Sequence, residues 1–179
     1  MKIGAAMTAF VSVCAGFGST GCTALFEPLE TVESVDIERY VGKWYEIARY
    51  PFAAQAGCTG TTADYTLRDD GRVTVLNTCY VGSLDGEVQT IEGTARVVDE
   101  ETNAKLAVSF FAFFEGPYWI IDLDPDYQWA VVGTPIRTNL WILSRTPTLD
   151  EATYNDILTR LPDKGFDPAR LELTEQPSE

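Results

Sequence analysis

Between Lys43 and Ser144 the chain is built of short runs rich in β-branched and aromatic residues, each closed by a turn signal. The runs are Lys43–Tyr50, Thr61–Arg68, Arg72–Cys79, Glu87–Val98, Ala104–Phe114, Tyr118–Leu123, Gln128–Gly133 and Asn139–Ser144. The turns between them include Asp69-Asp70-Gly71, Asp85-Gly86, Glu115-Gly116-Pro117 and Asp124-Pro125-Asp126. No helical pattern separates the runs. Strands joined by tight turns pair with their sequence neighbours, and closing the sheet on itself removes its exposed edges. The expected fold is all-β: an eight-stranded up-and-down antiparallel β-barrel.

One α-helix is expected after the strands, packed on the outside of the barrel. Thr148 and Glu151 form a capping-box pattern, and Tyr154, Ile157, Leu158 and Leu161 fall on one apolar stripe. Pro162 and Gly165 end it. Leu171-Glu172-Leu173 offers a short ninth strand.

Period-two alternation assigns the faces. Trp44, Glu46, Ala48 and Tyr50 share one parity and are expected inside. Thr61, Ala63, Tyr65 and Leu67 form the inner set of the next strand. Gln89, Ile91, Gly93, Ala95 and Val97 follow, then Leu106, Val108 and Phe110. Asp122 suits solvent, which leaves Trp119, Ile121 and Leu123 inside. Trp141 and Leu143 share the parity of Arg145. The small residues Ala48, Ala63, Gly93 and Ala95 are expected to leave room in the barrel for one elongated apolar ligand. Phe111 and Phe113 are expected to face outward, against either the helix stripe or a membrane or second subunit.

Charge and composition exclude several functions. The chain carries 13 Lys+Arg, 27 Asp+Glu and no histidine, for a net charge of −14. Nucleic acid is a poor partner for such a surface. Without histidine there is no Ser-His-Asp unit and no His-based metal site, and no cofactor or metal motif occurs. An enzyme would need a free, inward Cys58 or Cys79, or a perturbed Glu46.

The N-terminal stretch has Lys2 as its only charge and a short apolar run from Ile3 to Phe17, as in a secretory signal. It ends in Ser19-Thr20-Gly21-Cys22, which resembles a bacterial lipobox, with Ser19 where that pattern prefers Leu. The expectation is a signal peptide over 1–21, an acyl chain such as palmitate on Cys22, a tether over 22–34 and a domain over 35–179. Thr23 in place of Asp points, by resemblance to lipoproteins, to the outer membrane. The alternative is ordinary cleavage with Cys22 a spare thiol. Of the remaining cysteines, Cys58 and Cys79 flank one hairpin, so folding it brings them together in an oxidising compartment. A disulfide is expected there; a reactive thiol is the alternative.

Three motifs carry a family resemblance. Asp36 to Arg49, with Gly42-Lys43-Trp44, resembles the first lipocalin motif; Asp124-Pro125-Asp126-Tyr127 resembles the second, with Pro125 in place of the usual Thr. Leu140 to Pro147, with Arg145, resembles the third. The chain is similar to the bacterial outer-membrane lipoprotein branch of the lipocalins, which is related to apolipoprotein D. Gly42, Trp44, Asp126, Tyr127 and Arg145 are read as structural, with Arg145 stacked on Trp44 to plug one end of the barrel. Tyr40, Tyr65 and Trp141 match ligand-contacting positions by that resemblance. The inward Glu46, Tyr50, Phe110 and Trp119 complete the expected ligand site. The function implied is binding, transport or storage of a fatty acid or lysophospholipid, facing the periplasm from a lipid anchor in the outer membrane. A homodimer is left open. The alternatives are an interaction or structural lipoprotein with a filled barrel, and an enzyme acting on a lipid-like substrate.

Overall fold

The computed structural model describes residues 27–111 and 114–178. The expected signal segment, Cys22 and Phe113 lie outside the described residues. A helical turn, α1 (Ile37–Tyr40), opens the domain; the Asp36 carboxylate caps it by accepting the Glu38 and Arg39 backbone N–H groups. Eight strands follow: β1 (Gly42–Arg49), β2 (Cys58–Leu67), β3 (Val73–Val81), β4 (Val88–Val97), β5 (Lys105–Phe111), β6 (Phe114–Leu123), β7 (Trp129–Gly133) and β8 (Leu140–Ser144). Helix α2 (Glu151–Arg160) and a short β9 (Glu172–Leu173) end the chain.

Every strand from β1 to β8 pairs antiparallel with its sequence neighbours, and β8 pairs back onto β1, so the sheet closes. β1 pairs with β2 only from Gly42 to Tyr45. Beyond that, β9 takes the free edge of β1, opposite Ala48 and Arg49. The barrel therefore has a closed end, where the β2–β3, β4–β5 and β6–β7 connections lie, and an open end formed by residues 50–57, 82–87 and 134–139 and by Phe111 and Phe114, the last pair of β5 and β6.

Two apolar cores result. One fills the closed half of the barrel around Trp44, Tyr40, Leu106, Ile120 and Val132. The other lies outside the wall, where Ile47, Ile121, Val131 and Ile142 meet Ile157 of α2, Leu161 just after it and Phe166. The expected helix stripe is thus the face that α2 buries.

Several boundaries differ from the sequence reading. The helix cap is Asp150, whose carboxylate accepts the Thr153 N–H at 2.9 Å, two residues beyond Thr148. Gly116 and Pro117 are not a turn; they lie inside β6. Proline is tolerated there because β7 joins β6 only from Trp119 onward, so Pro117 faces β5 alone and needs no second ladder bond. Phe111 does not pack on the helix; it is 69% exposed near the hairpin tip.

Two β-bulges account for the errors in face. The β1–β8 register shifts between Glu46 and Ala48. Trp44 and Glu46 face inward, but Ala48 and Tyr50 face out, into the core under α2. The β6–β7 register shifts between Ile120 and Asp122. Counting back from an outward Asp122 therefore gives the wrong parity: Tyr118 and Ile120 are inside, while Trp119 and Ile121 belong to the outer core. A bulge adds one residue to one strand, so every side chain beyond it changes face.

The segment expected to be a tether is fixed from Glu27 onward. Leu29 is buried in the outer core, and the Val32 N–H donates to Ile120 O at 3.1 Å.

Candidate ligand-binding calyx

The closed end is built by the residues read as structural. Trp44 is fully buried, and its indole N–H donates to Tyr40 O at 2.8 Å. The Arg145 guanidinium lies 3.7 Å from the centroid of the Trp44 ring. Its N–H groups reach the carbonyls of Arg39, Tyr40, Lys43 and Tyr127 at 2.8–3.2 Å. One cation thus stacks on the plug and caps the end of α1. Gly42 stands beside it with φ of +95°, where a side chain would be strained and a Cβ would come 3.4 Å from Arg145. Tyr127 lies under the Arg39 guanidinium, and its hydroxyl accepts the Asp36 N–H at 2.9 Å. Asp126 gives only its backbone to the turn; the carboxylate that holds it is Asp124, which accepts the N–H groups of Asp126 and Gln128.

Above this plug the barrel encloses a cavity of about 630 Å³, open at the far end. That is within the range of small-molecule sites. Its wall is mainly apolar, from Val73, Val75, Ala95, Leu106 and Val108 to Leu143. Tyr40, Glu46, Tyr65, Phe110 and Trp141 line it, as expected. Tyr50 and Trp119 do not. The Tyr50 ring packs beside Phe166 and under Arg170, and its hydroxyl donates to Asp167 O. Trp119 lies outside, with Lys105 above its ring. Gly93 leaves no space for a ligand either: a Cβ there would sit 2.7 Å from the Phe110 ring, which already fills that volume.

Toward the closed end the Tyr118 hydroxyl bonds both Tyr40 and Tyr65, at 2.9 and 3.0 Å. Burial raises all three, Tyr65 to about 12 and the others well above the ordinary value, so all three stay protonated. Three hydroxyl protons serve two bonds, which leaves one proton free to be donated into the cavity. Higher on the wall, Glu46 is held by Arg49 at 2.7 Å, Thr174 at 2.6 Å and Gln55 at 3.0 Å. Its partners are not tyrosines. Gln55 in turn accepts from the Trp141 indole at 3.2 Å. The Thr61 hydroxyl, buried on the same wall, has no hydrogen-bond partner among the described residues. Tyr118, Arg49, Gln55 and Thr174 were not singled out from sequence. Tyr118 was hidden by the bulge, and Thr174 lies 125 residues from the Arg49 it contacts.

Cys58 and Cys79 form a disulfide near the open end, with Cα atoms 5.4 Å apart. The β2–β3 register shift between Thr59 and Thr62 supplies the offset that brings them together. Neither sulfur is a free nucleophile.

An apolar calyx with one plugged end and a Gly-x-Trp/Arg stack is the arrangement the three motifs implied, and comparison with known proteins decides it. The profile of the Lipocalin-like domain family matches residues 35–176. The outer membrane lipoprotein Blc of Escherichia coli K12 is 39% identical over 165 residues, 91% of this chain and 93% of that protein.

The chain is a lipocalin. Temperature-induced lipocalin-1 of Arabidopsis thaliana is 40% identical over 83% of each chain. The insecticyanin structure from Manduca sexta superposes with a TM-score of 0.69 over 85% of this lipocalin and 86% of its own chain; at 20% identity that likeness concerns the fold. Lipocalins are in general binding and transport proteins for small hydrophobic molecules.

Proposed function

We propose that this lipocalin binds one fatty acid or lysophospholipid in its calyx and carries or stores it at the outer membrane, held there by an acyl chain on Cys22. The observation that carries the reading is the open, apolar cavity of about 630 Å³. Burying an acyl chain in it gains about 0.8 kcal/mol per methylene. Phe110 and Trp141 give the chain flat apolar contacts, while the Tyr118 cluster and the Thr61 hydroxyl offer polar contacts to an oxygen of the ligand. The bacterial relative named as an outer membrane lipoprotein supports the location, together with the lipobox-like Cys22. The test is solvent extraction of protein purified from its own envelope, followed by mass spectrometry. Stoichiometric fatty acid or lysophospholipid is expected; a barrel that releases no lipid and takes none up would overturn the reading.

A further inference from the structure

We infer that the open end of the barrel docks on the phospholipid leaflet that holds the anchor, through the side formed by the β5–β6 hairpin and the 134–139 loop. The inference rests on the lipid anchor proposed above and adds the orientation of the barrel and the surface that meets the lipid.

Two independent observations carry it. The first is the rim. Phe111 and Phe114 are 69% and 79% exposed at one hairpin, and Ile136 is 65% exposed on the neighbouring loop. Phe111 and Phe114 also line the cavity mouth, so the exposed apolar surface runs without a break into the calyx. Large apolar side chains gathered at the entrance of a lipid-sized cavity suit an apolar partner.

The second is where the chain enters. Glu27 O accepts from Arg137 Nη2 at 2.8 Å, so the described chain begins beside Ile136 at the open end. From there it runs down the outer wall past Ile120 to the closed end, where the Val35 N–H donates to Thr102 O. Cys22 lies five Cα–Cα steps before Glu27. Fully extended they span at most about 18 Å. A ten-residue strand tilted in a barrel rises about 25 Å along the axis. The closed end therefore lies beyond the tether's reach, and the mouth lies within it.

Charge selects the lipid and the side of the rim. Without residues 1–21 the chain carries 12 basic and 27 acidic side chains, a net charge of −15. The 82–87 connection brings Asp85 and Glu87 to the mouth, whereas Phe111 and Phe114 sit where β5 meets β6 and Ile136 sits on the 134–139 loop. A zwitterionic leaflet of phosphatidylethanolamine type accepts this surface; a strongly anionic one repels it.

The test uses the full lipidated protein reconstituted in zwitterionic vesicles. Flotation and the mass of the Cys22 peptide report the anchor. Spin labels at Ile136→Cys, on the rim, and at Val98→Cys, beside the closed end, report depth from their collisions with oxygen and with a water-soluble nickel chelate. The expected result is a floating protein whose 136 label senses lipid and whose 98 label senses water. Ile136→Asp should slow uptake of a fluorescent fatty acid from vesicles about fivefold and leave equilibrium binding of the same probe in solution unchanged. A floating protein with both labels in water and no change in uptake would overturn docking and leave the anchor intact. Short distances between 136 labels in sparsely loaded vesicles would also overturn it, assigning the rim to a second copy. A protein without acyl mass that does not float would overturn the anchor itself, and the tether argument with it.

Discussion

At the closed end, Arg145 reaches four carbonyls and covers Trp44, and Tyr127 closes over Asp36. At the open end, Phe111, Phe114 and Ile136 stand in solvent, and the disulfide holds the start of β2 to the end of β3. One end is fixed by a packed plug, the other by a covalent link, strand pairing and hydrogen bonds of Arg49 and Arg137 that leave the mouth open. This barrel is stabilised from below, and its cavity opens above. A rim packed as tightly as the plug could not admit a lipid.

Substitutions at the two ends should separate these roles. Trp44→Ala removes the fully buried plug and should cost about 3–5 kcal/mol in a urea titration, with the wall residues following because they share its core. A loss under about 1 kcal/mol would show that the closed end does not carry the fold. Reducing the Cys58–Cys79 bridge closes off less: its 21-residue separation predicts a loss of about 3 kcal/mol, read as a lower Tm with reductant.

Alkaline pH tests the tyrosine cluster between the two ends. Tyr65 titrates near 12 when folded and near 10 when unfolded, because burial disfavours the phenolate. The folded state thus holds its proton longer. Stability from this group is complete below about pH 10 and is lost as pH rises through about 12, by about 3 kcal/mol in all. Denaturant titrations at rising pH should show that decline, and Tyr65→Phe should make it shallower, with Tyr40 and Tyr118 keeping their share. A profile unchanged by the substitution would contradict the placement. The smallest effect belongs to the rim: Phe114→Ser should change stability by no more than about 0.5 kcal/mol. A larger loss would mean that the mouth supports the fold after all.

The same contrast governs what could be read from sequence. The closed end was legible because its parts lie in short, local motifs: Gly42 two residues before Trp44, Asp124 three before Tyr127, and Arg145 at the end of β8. The disulfide was legible because both cysteines flank one hairpin. The cavity wall was legible only as far as alternation held. The shifts at Ile47 and near Ile121 reversed the faces of Tyr50 and Trp119, since neither Ile carries a local mark of a bulge. Gly116-Pro117 read as a turn because the sequence does not tell that β7 is too short to cover that part of β6. The Glu46–Arg49–Thr174 group needed β9 in place before its partners could be seen.

Trp141 lines the cavity and is placed to report an acyl chain bound there. The decisive measurement is a titration of delipidated protein with a nitroxide-labelled fatty acid, followed by tryptophan fluorescence in the wild type and in Trp141→Phe. Saturable quenching at one ligand per barrel is expected, with most of the quenched signal lost in the variant. Quenching that does not saturate, or that is unchanged without Trp141, would contradict binding of one acyl chain in the cavity.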